Sequence, residues 1–207
     1  FFDTFLNRDV EASFQRFLVA TQPDVVHFQH LMSLSVRLPT LVKALGIPML
    51  LTLHDYWFRC ANSQLIWPDG QICQGKLCGV NCARCATVHI NSNLIKAFHP
   101  VLAPLFQWRD WLVKRAALRV EKFLAPSHFL RDQYLAVGFP GGSFEVLENG
   151  LDVARIRSFP RAPERERLRV TYLGSMAWQK GVHVLLEAIR GLPADRIRLR
   201  VYGSTSA

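Results

Sequence analysis

The chain has 207 residues, half of them apolar, with a mean hydropathy near zero (+0.11) and a formal charge of +9. This composition excludes a disordered or fibrous chain, and no apolar run reaches the length of a bilayer-spanning helix. The sequence pI of about 9.8 suits nucleic acid, anionic lipid or phosphate-bearing substrates without choosing among them.

Residues 9–20 carry Val10, Phe14, Phe17 and Leu18 at helical spacing, and Pro23 ends that helix. The β-branched run DVVHF (24–28) reads as a strand, residues 34–45 as a helix closed by Gly46, and MLLTL (49–53), opened by Pro48, as a second strand. Strand, helix, strand in this order is the βαβ unit of a parallel sheet. The second strand runs directly into His54, Asp55, two aromatics, Arg59 and Cys60. Ligands collect at the carboxyl ends of strands in open α/β sheets, so His54 and Asp55 are candidate site residues, set against the plainer reading of a polar loop. His27 and His30 flank Gln29 at the end of the first strand, where alternate spacing favours polar contacts over a shared metal.

Five cysteines follow: Cys60, Cys73, Cys78, Cys82 and Cys85. An odd, clustered set is no secreted disulfide framework and points to a reducing compartment, the cytoplasm. Cys82-Ala-Arg-Cys85 is a CxxC, and four of the five make a candidate structural zinc site, although the spacing is no familiar zinc ribbon and free thiols are often simply buried.

Helical character returns from 93 to 118, interrupted near Pro100 and Pro104. Within it Phe98, Phe106, Trp108 and Trp111 alternate with Lys96, Arg109, Lys114 and Arg115, a pattern suited either to an anionic membrane surface or to packing on its own domain. KFLA (122–125) is a buried strand, Ser127 stands at the N-cap of a helix over 128–137 ended by Gly138, and FEVL (144–147) is a further strand. Prolines and charges without apolar period mark residues 153–167 as a linker. The pattern then restarts: a strand at LRVTYLG (168–174), a helix over 181–190 with Val182, Leu185, Leu186 and Ile189 inward, and a strand at IRLRVYG (197–203). The intervening GSMAWQKG (174–181) joins strand to helix, where backbone N–H groups, the helix dipole and Lys180 together suit a phosphate. It is neither a GxGxxG nor a Walker loop, and a plain connecting turn is the competing reading.

The strings PDVVHFQHL, GIPMLLTLHDYW, FLAPSHFLRDQYLAVGF, FEVLENGLDV and LRVTYLGSMAWQKGVHVLLEAI, in this order, resemble the nucleotide-sugar-dependent glycosyltransferases of the group 1 retaining type. Some of those enzymes carry a Cys-rich insertion after the HDYW segment. The resemblance implies a GT-B architecture of two Rossmann-like α/β domains facing a cleft. Residues 1–152 form the acceptor-side domain with an insertion at 58–90, 153–167 the linker, and 168–207 the start of the donor domain. It implies His54 and Asp55 near the transferred sugar, Lys180 on the donor diphosphate with Gly174 and Ser175, and Ser127 and Asn149 beside the donor. His27 and His30 fall near the acceptor, a glycan or lipid-linked molecule. No cofactor is implied for transfer itself, and the place of action is the cytoplasm, at the inner face of the membrane, on a cell-envelope polysaccharide.

The family commonly has Arg where Ser175 stands, and a Lys alone offers a point charge in place of a fork. The resemblance also implies that both ends are missing, including an ExxxxxxxE element, so that the isolated chain is expected to be inactive. Two competing readings are a zinc-stabilised basic module for nucleic acid and a non-catalytic homologue. The first lacks helix-turn-helix, RNP or finger spacing, and no nucleic-acid partner is expected.

Overall fold

The structure, a computed structural model, describes residues 2–75, 77–88, 98–156 and 167–204. Contacts divide the chain into two units, Phe1–Gly150 and Leu151–Ala207.

In the first unit, helices α1 (Phe2–Phe5) and α2 (Arg8–Thr21) precede strand β1 (Val26–Phe28), helix α3 (Leu38–Ala44) and strand β2 (Met49–Thr52). Helices α4 (Val80–Thr87) and α5 (His99–Ala117) follow, then β3 (Lys122–Ala125), α6 (His128–Leu135) and β4 (Phe144–Val146). The four strands lie in the order β1-β2-β3-β4, all parallel, with His27 opposite Leu50, Leu51 opposite Phe123 and Leu124 opposite Glu145. Both faces of the central strands are covered, which is why their sequences are continuous apolar runs. Met49, Leu51, Phe123 and Ala125 are fully buried, and the short outer strands instead expose His27 and Glu145.

The sheet core takes Leu18 from α2, Val42 from α3, Val113 and Ala117 from α5 and Tyr134 from α6. Two polar contacts pin this packing. The Met49 N–H donates to Glu121 Oε2 at 2.7 Å, and buried Glu11 accepts from Ser35 Oγ at 2.7 Å while pairing with Arg37 at 3.2 Å.

Several boundaries differ from the sequence expectation. Helix α3 begins at Leu38, because the two residues before Arg37 are held elsewhere: Ser35 Oγ donates to Glu11 at 2.7 Å and the Val36 N–H to the Thr4 carbonyl at 2.8 Å. The expected break near Pro104 is absent, since α5 passes through that residue. The one hydrogen bond a proline removes is offset where Ala103, Val113, Ala116 and Ala117 bury the helix against its neighbours. The helical character expected over 93–97, and most of the linker, lie outside the described residues.

The second unit holds β5 (Leu168–Leu173), α7 (Val182–Arg190) and β6 (Ile197–Tyr202), with β5 and β6 parallel over six pairs. Val182, Leu185 and Ile189 are half-buried as expected, but Leu186 is exposed. A two-stranded sheet is too narrow to cover the whole apolar stripe of the helix. Among the described residues no helix is long and apolar enough to cross a membrane.

Candidate functional site

Because β1 to β4 are parallel, their carboxyl ends share one edge of the sheet, and that edge gathers the predicted polar residues of the first unit. His27 lies on β1 with His30 just beyond it, His54 and Asp55 follow β2, Ser127 follows β3 and Asn149 follows β4. Lys180, Gly174 and Ser175 belong to the second unit, in the loop after β5.

Four of these side chains form two linked groups. In the first, His54 Nε2 donates to Gln29 Oε1 at 2.8 Å, the Gln29 amide nitrogen reaches the His27 ring at 3.2 Å, and His27 Nε2 meets Thr52 Oγ1 at 2.7 Å. With the amide oxygen facing His54, the imidazole carries its proton on Nε2 and leaves Nδ1 as an acceptor. In the second, the Met32 N–H donates to His30 Nδ1 at 2.9 Å, which places the His30 proton on Nε2, facing Asp55 Oδ2 at 3.4 Å. That separation is longer than a formed hydrogen bond, and buried Nε2 has no hydrogen-bond partner among the described residues. His30 is wedged against the Trp57 and Phe58 rings, 5.2 and 6.1 Å between centroids.

Asp55 is fixed from three sides. Its Oδ1 accepts from the Trp57 N–H at 2.7 Å, and its own carbonyl accepts from the Tyr134 hydroxyl at 2.6 Å. Burial raises its pKa, but contact with His30, the Trp57 amide and the two imidazoles beside it outweigh that, leaving it below the ordinary carboxylate value. An ionised Asp55 thus contributes stability that is present above the unfolded-state pKa, about 3.9, and lost as pH falls through the lower folded value. Asp55→Asn is expected to flatten the acid limb of the stability profile. Urea midpoints measured across the acid range check this, and parallel curves for the two proteins would contradict it.

Beneath this loop lies Arg109, a cation of the basic-aromatic helix, which packing on its own domain, one of the two readings of that pattern, buries to 3% exposure. Its guanidinium donates to the Trp57 carbonyl at 2.7 Å and to Asp110 at 2.7 Å, and it stacks over the Trp57 ring at 4.9 Å. Burial lowers its pKa to about 10 against the opposing charges of Cys60, Tyr134, Cys82 and Asp55, so it is charged at neutral pH. The Tyr134 hydroxyl is pushed up, first by burial and then by the Asp55 charge. Gln29, Thr52, Arg109 and Tyr134 were not singled out as site residues from sequence. Only Gln29 carried a signal, its place between two histidines.

Ser127 caps α6 as expected, its Oγ accepting from the Leu130 N–H at 3.2 Å, and Asn149 is exposed. In the second unit the loop after β5 is held against the end of β6. The Gly174 N–H donates to the Tyr202 carbonyl at 3.0 Å and the Met176 N–H to the Ser204 carbonyl at 3.2 Å. The approach is so close that a Cβ on Gly203 would collide with the Gly174 carbonyl. Ser175 offers its carbonyl to the Tyr172 hydroxyl at 2.8 Å, and Lys180 is exposed at the turn before α7.

Cys60, Cys73, Cys82 and Cys85 are half-buried around the insertion and Cys78 is exposed. Among the described residues no three His, Cys, Asp or Glu side chains stand together as a formed metal centre.

A parallel sheet with a polar cluster along its carboxyl edge defines a Rossmann-like α/β protein, the class in which that edge holds ligands. Residues 5–155 match the family described as Glycosyltransferase Family 4, and the chain belongs to that family. No curated protein matches the chain.

Proposed function

We propose that the protein transfers a sugar, with retention, from a nucleoside-diphosphate donor to a glycan or lipid-linked acceptor. In this reading His54 and Asp55 serve the transferred sugar and His27 and His30 the acceptor. Lys180 and the backbone around Gly174 and Ser175 serve the diphosphate, with Ser127 and Asn149 also on the donor. The reading rests above all on one observation: in a chain of this family, two histidines and a carboxylate are gathered by Gln29 and Met32 at neighbouring strand ends. His54 Nε2–H is available to exchange Gln29 for a sugar hydroxyl, and Asp55, held ionised, suits a hydroxyl donor. Departure of the diphosphate leaves negative charge, which an ammonium and a helix N-terminus stabilise without a metal. Action in the cytoplasm at the inner membrane face fits the exposed Trp108 and Trp111, the latter under Arg115 at 5.0 Å.

Thermal stabilisation by UDP or GDP tests the donor part of this reading. The expected result is an upward shift in Tm with one of them, and about tenfold weaker binding in Lys180→Ala, the loss of one charge-assisted contact. His54→Ala is expected to bind the bare diphosphate normally. No shift with either nucleotide, or an unchanged Kd in Lys180→Ala, would remove the assignment.

A further inference from the structure

Among its described residues, the insertion between β2 and α5 has almost no core of its own. From 59 to 79 its pairing in the described structure is one antiparallel bridge, Ile66 with Ile72, and it leaves Ile72 and Leu77 at 73% and 74% exposure. A segment of that length, held in a defined path with so little apolar burial, calls for a cross-link of another kind.

Four cysteines stand where such a link would be made. Cys60 follows β2, Cys73 closes the bridge through its N–H to the Leu65 carbonyl at 2.8 Å, and Cys82 and Cys85 lie three residues apart on α4, hence on one face. Cys60, Cys73 and Cys82 line a single cavity of about 440 Å³. Cys85 joins them through Asn62, whose Oδ1 accepts from Cys60 Sγ at 2.8 Å and whose Nδ2 donates to Cys85 Sγ at 3.4 Å. Cys78 is exposed and does not line the cavity.

We propose that Cys60, Cys73, Cys82 and Cys85 bind one zinc ion in a structural, four-thiolate site, and that Cys78 takes no part. Four thiols lose their protons to the solvent as four Zn–S bonds form, giving a centre of net charge −2 without any change of oxidation state. As the side chains stand, no three of them among the described residues are placed to hold a metal, so the sulfurs must draw together on binding. Loss of its proton ends the Cys60 contact to the Asn62 oxygen, since a thiolate cannot donate. The cavity that Cys60, Cys73 and Cys82 line also carries two cations, Arg59 and Lys114, beside one carboxylate, Asp110. The site is closed, with no position for water, so its work is to fold the insertion and leave transfer to other residues.

Elemental analysis of the untagged 207-residue chain grown with zinc is expected to find one zinc per molecule in the wild type and in Cys78→Ser. Cys73→Ser and the double variant Cys82→Ser/Cys85→Ser are expected to lose it. Should those variants fail to fold, cobalt added to the chelator-stripped wild-type chain gives the same answer through thiolate-to-cobalt charge transfer and tetrahedral d–d absorption. Wild-type protein without stoichiometric metal, equal loss of zinc in Cys78→Ser, stripped chain without the tetrahedral cobalt spectrum, or two disulfides by intact mass would each overturn the proposal.

Discussion

Replacing Arg109 by Ala is expected to destabilise the protein by about 3–5 kcal/mol, the range seen when one partner of a buried charged contact is removed. The side chain is nearly inaccessible, and it joins three things at once: the Trp57 carbonyl, the Asp110 carboxylate and the face of the Trp57 ring. Alanine leaves a buried carbonyl without its donor, takes the cation from a carboxylate that is itself largely covered, and opens a cavity below the loop that carries Asp55. Lysine is expected to recover only part of the loss, because one ammonium cannot reproduce a planar fork aimed at two acceptors. Urea unfolding with unchanged slope and a lowered midpoint is the expected form of the result. A change below about 1 kcal/mol would mean that the guanidinium is far better solvated than its burial implies.

Gly79→Ala is expected to cost about 2–5 kcal/mol, from two sources that add. The backbone there has φ of +82°, a left-handed conformation costing an L-residue roughly 1–2 kcal/mol. A Cβ at this point would also stand 2.5 Å from the Ala103 carbonyl oxygen, so α4 and α5 must part, an overpacking cost of about 1–3 kcal/mol. Gly46 supplies the control, having φ of +71° and open space, with nothing within 4 Å of the point a Cβ would occupy. Gly46→Ala therefore isolates the conformational part, and the excess of Gly79→Ala over it measures the helix contact. Equal losses at the two glycines would show that the helices yield freely.

Much of this arrangement was legible in the residues, for reasons specific to each element. Strands buried on both faces must be apolar throughout, so β2 and β3 announced themselves, as did Ser127 through the local geometry of an N-cap. His54 and Asp55 were visible because polar groups directly after a buried strand must emerge at its carboxyl end. What joins them was not visible. The His54 to Gln29 contact spans 25 residues and exists only because β1 and β2 pair in one register. Arg109 carried no clear signal for a related reason: alternating cations and aromatics suit a membrane-facing or a packed helix, and the acceptor that decides between them lies 52 residues away. Among the cysteines, CxxC showed that two share a helix face, but only the folded path of the insertion separates Cys78 from the other four.

The hydroxyl of Tyr134 has a mechanical consequence. Its ring is sealed in the core against Phe139, while its tip grips the main chain of Asp55, 79 positions away. Helix α6 cannot slide along the sheet without dragging that loop with it, and the loop cannot lift without pulling on the helix. Ser127 and Asp55, on separate strand ends, are thereby geared together, so that force applied at either arrives at the other through this aromatic strut and the Arg59 guanidinium, which donates to Gln133 of the same helix at 2.6 and 3.0 Å.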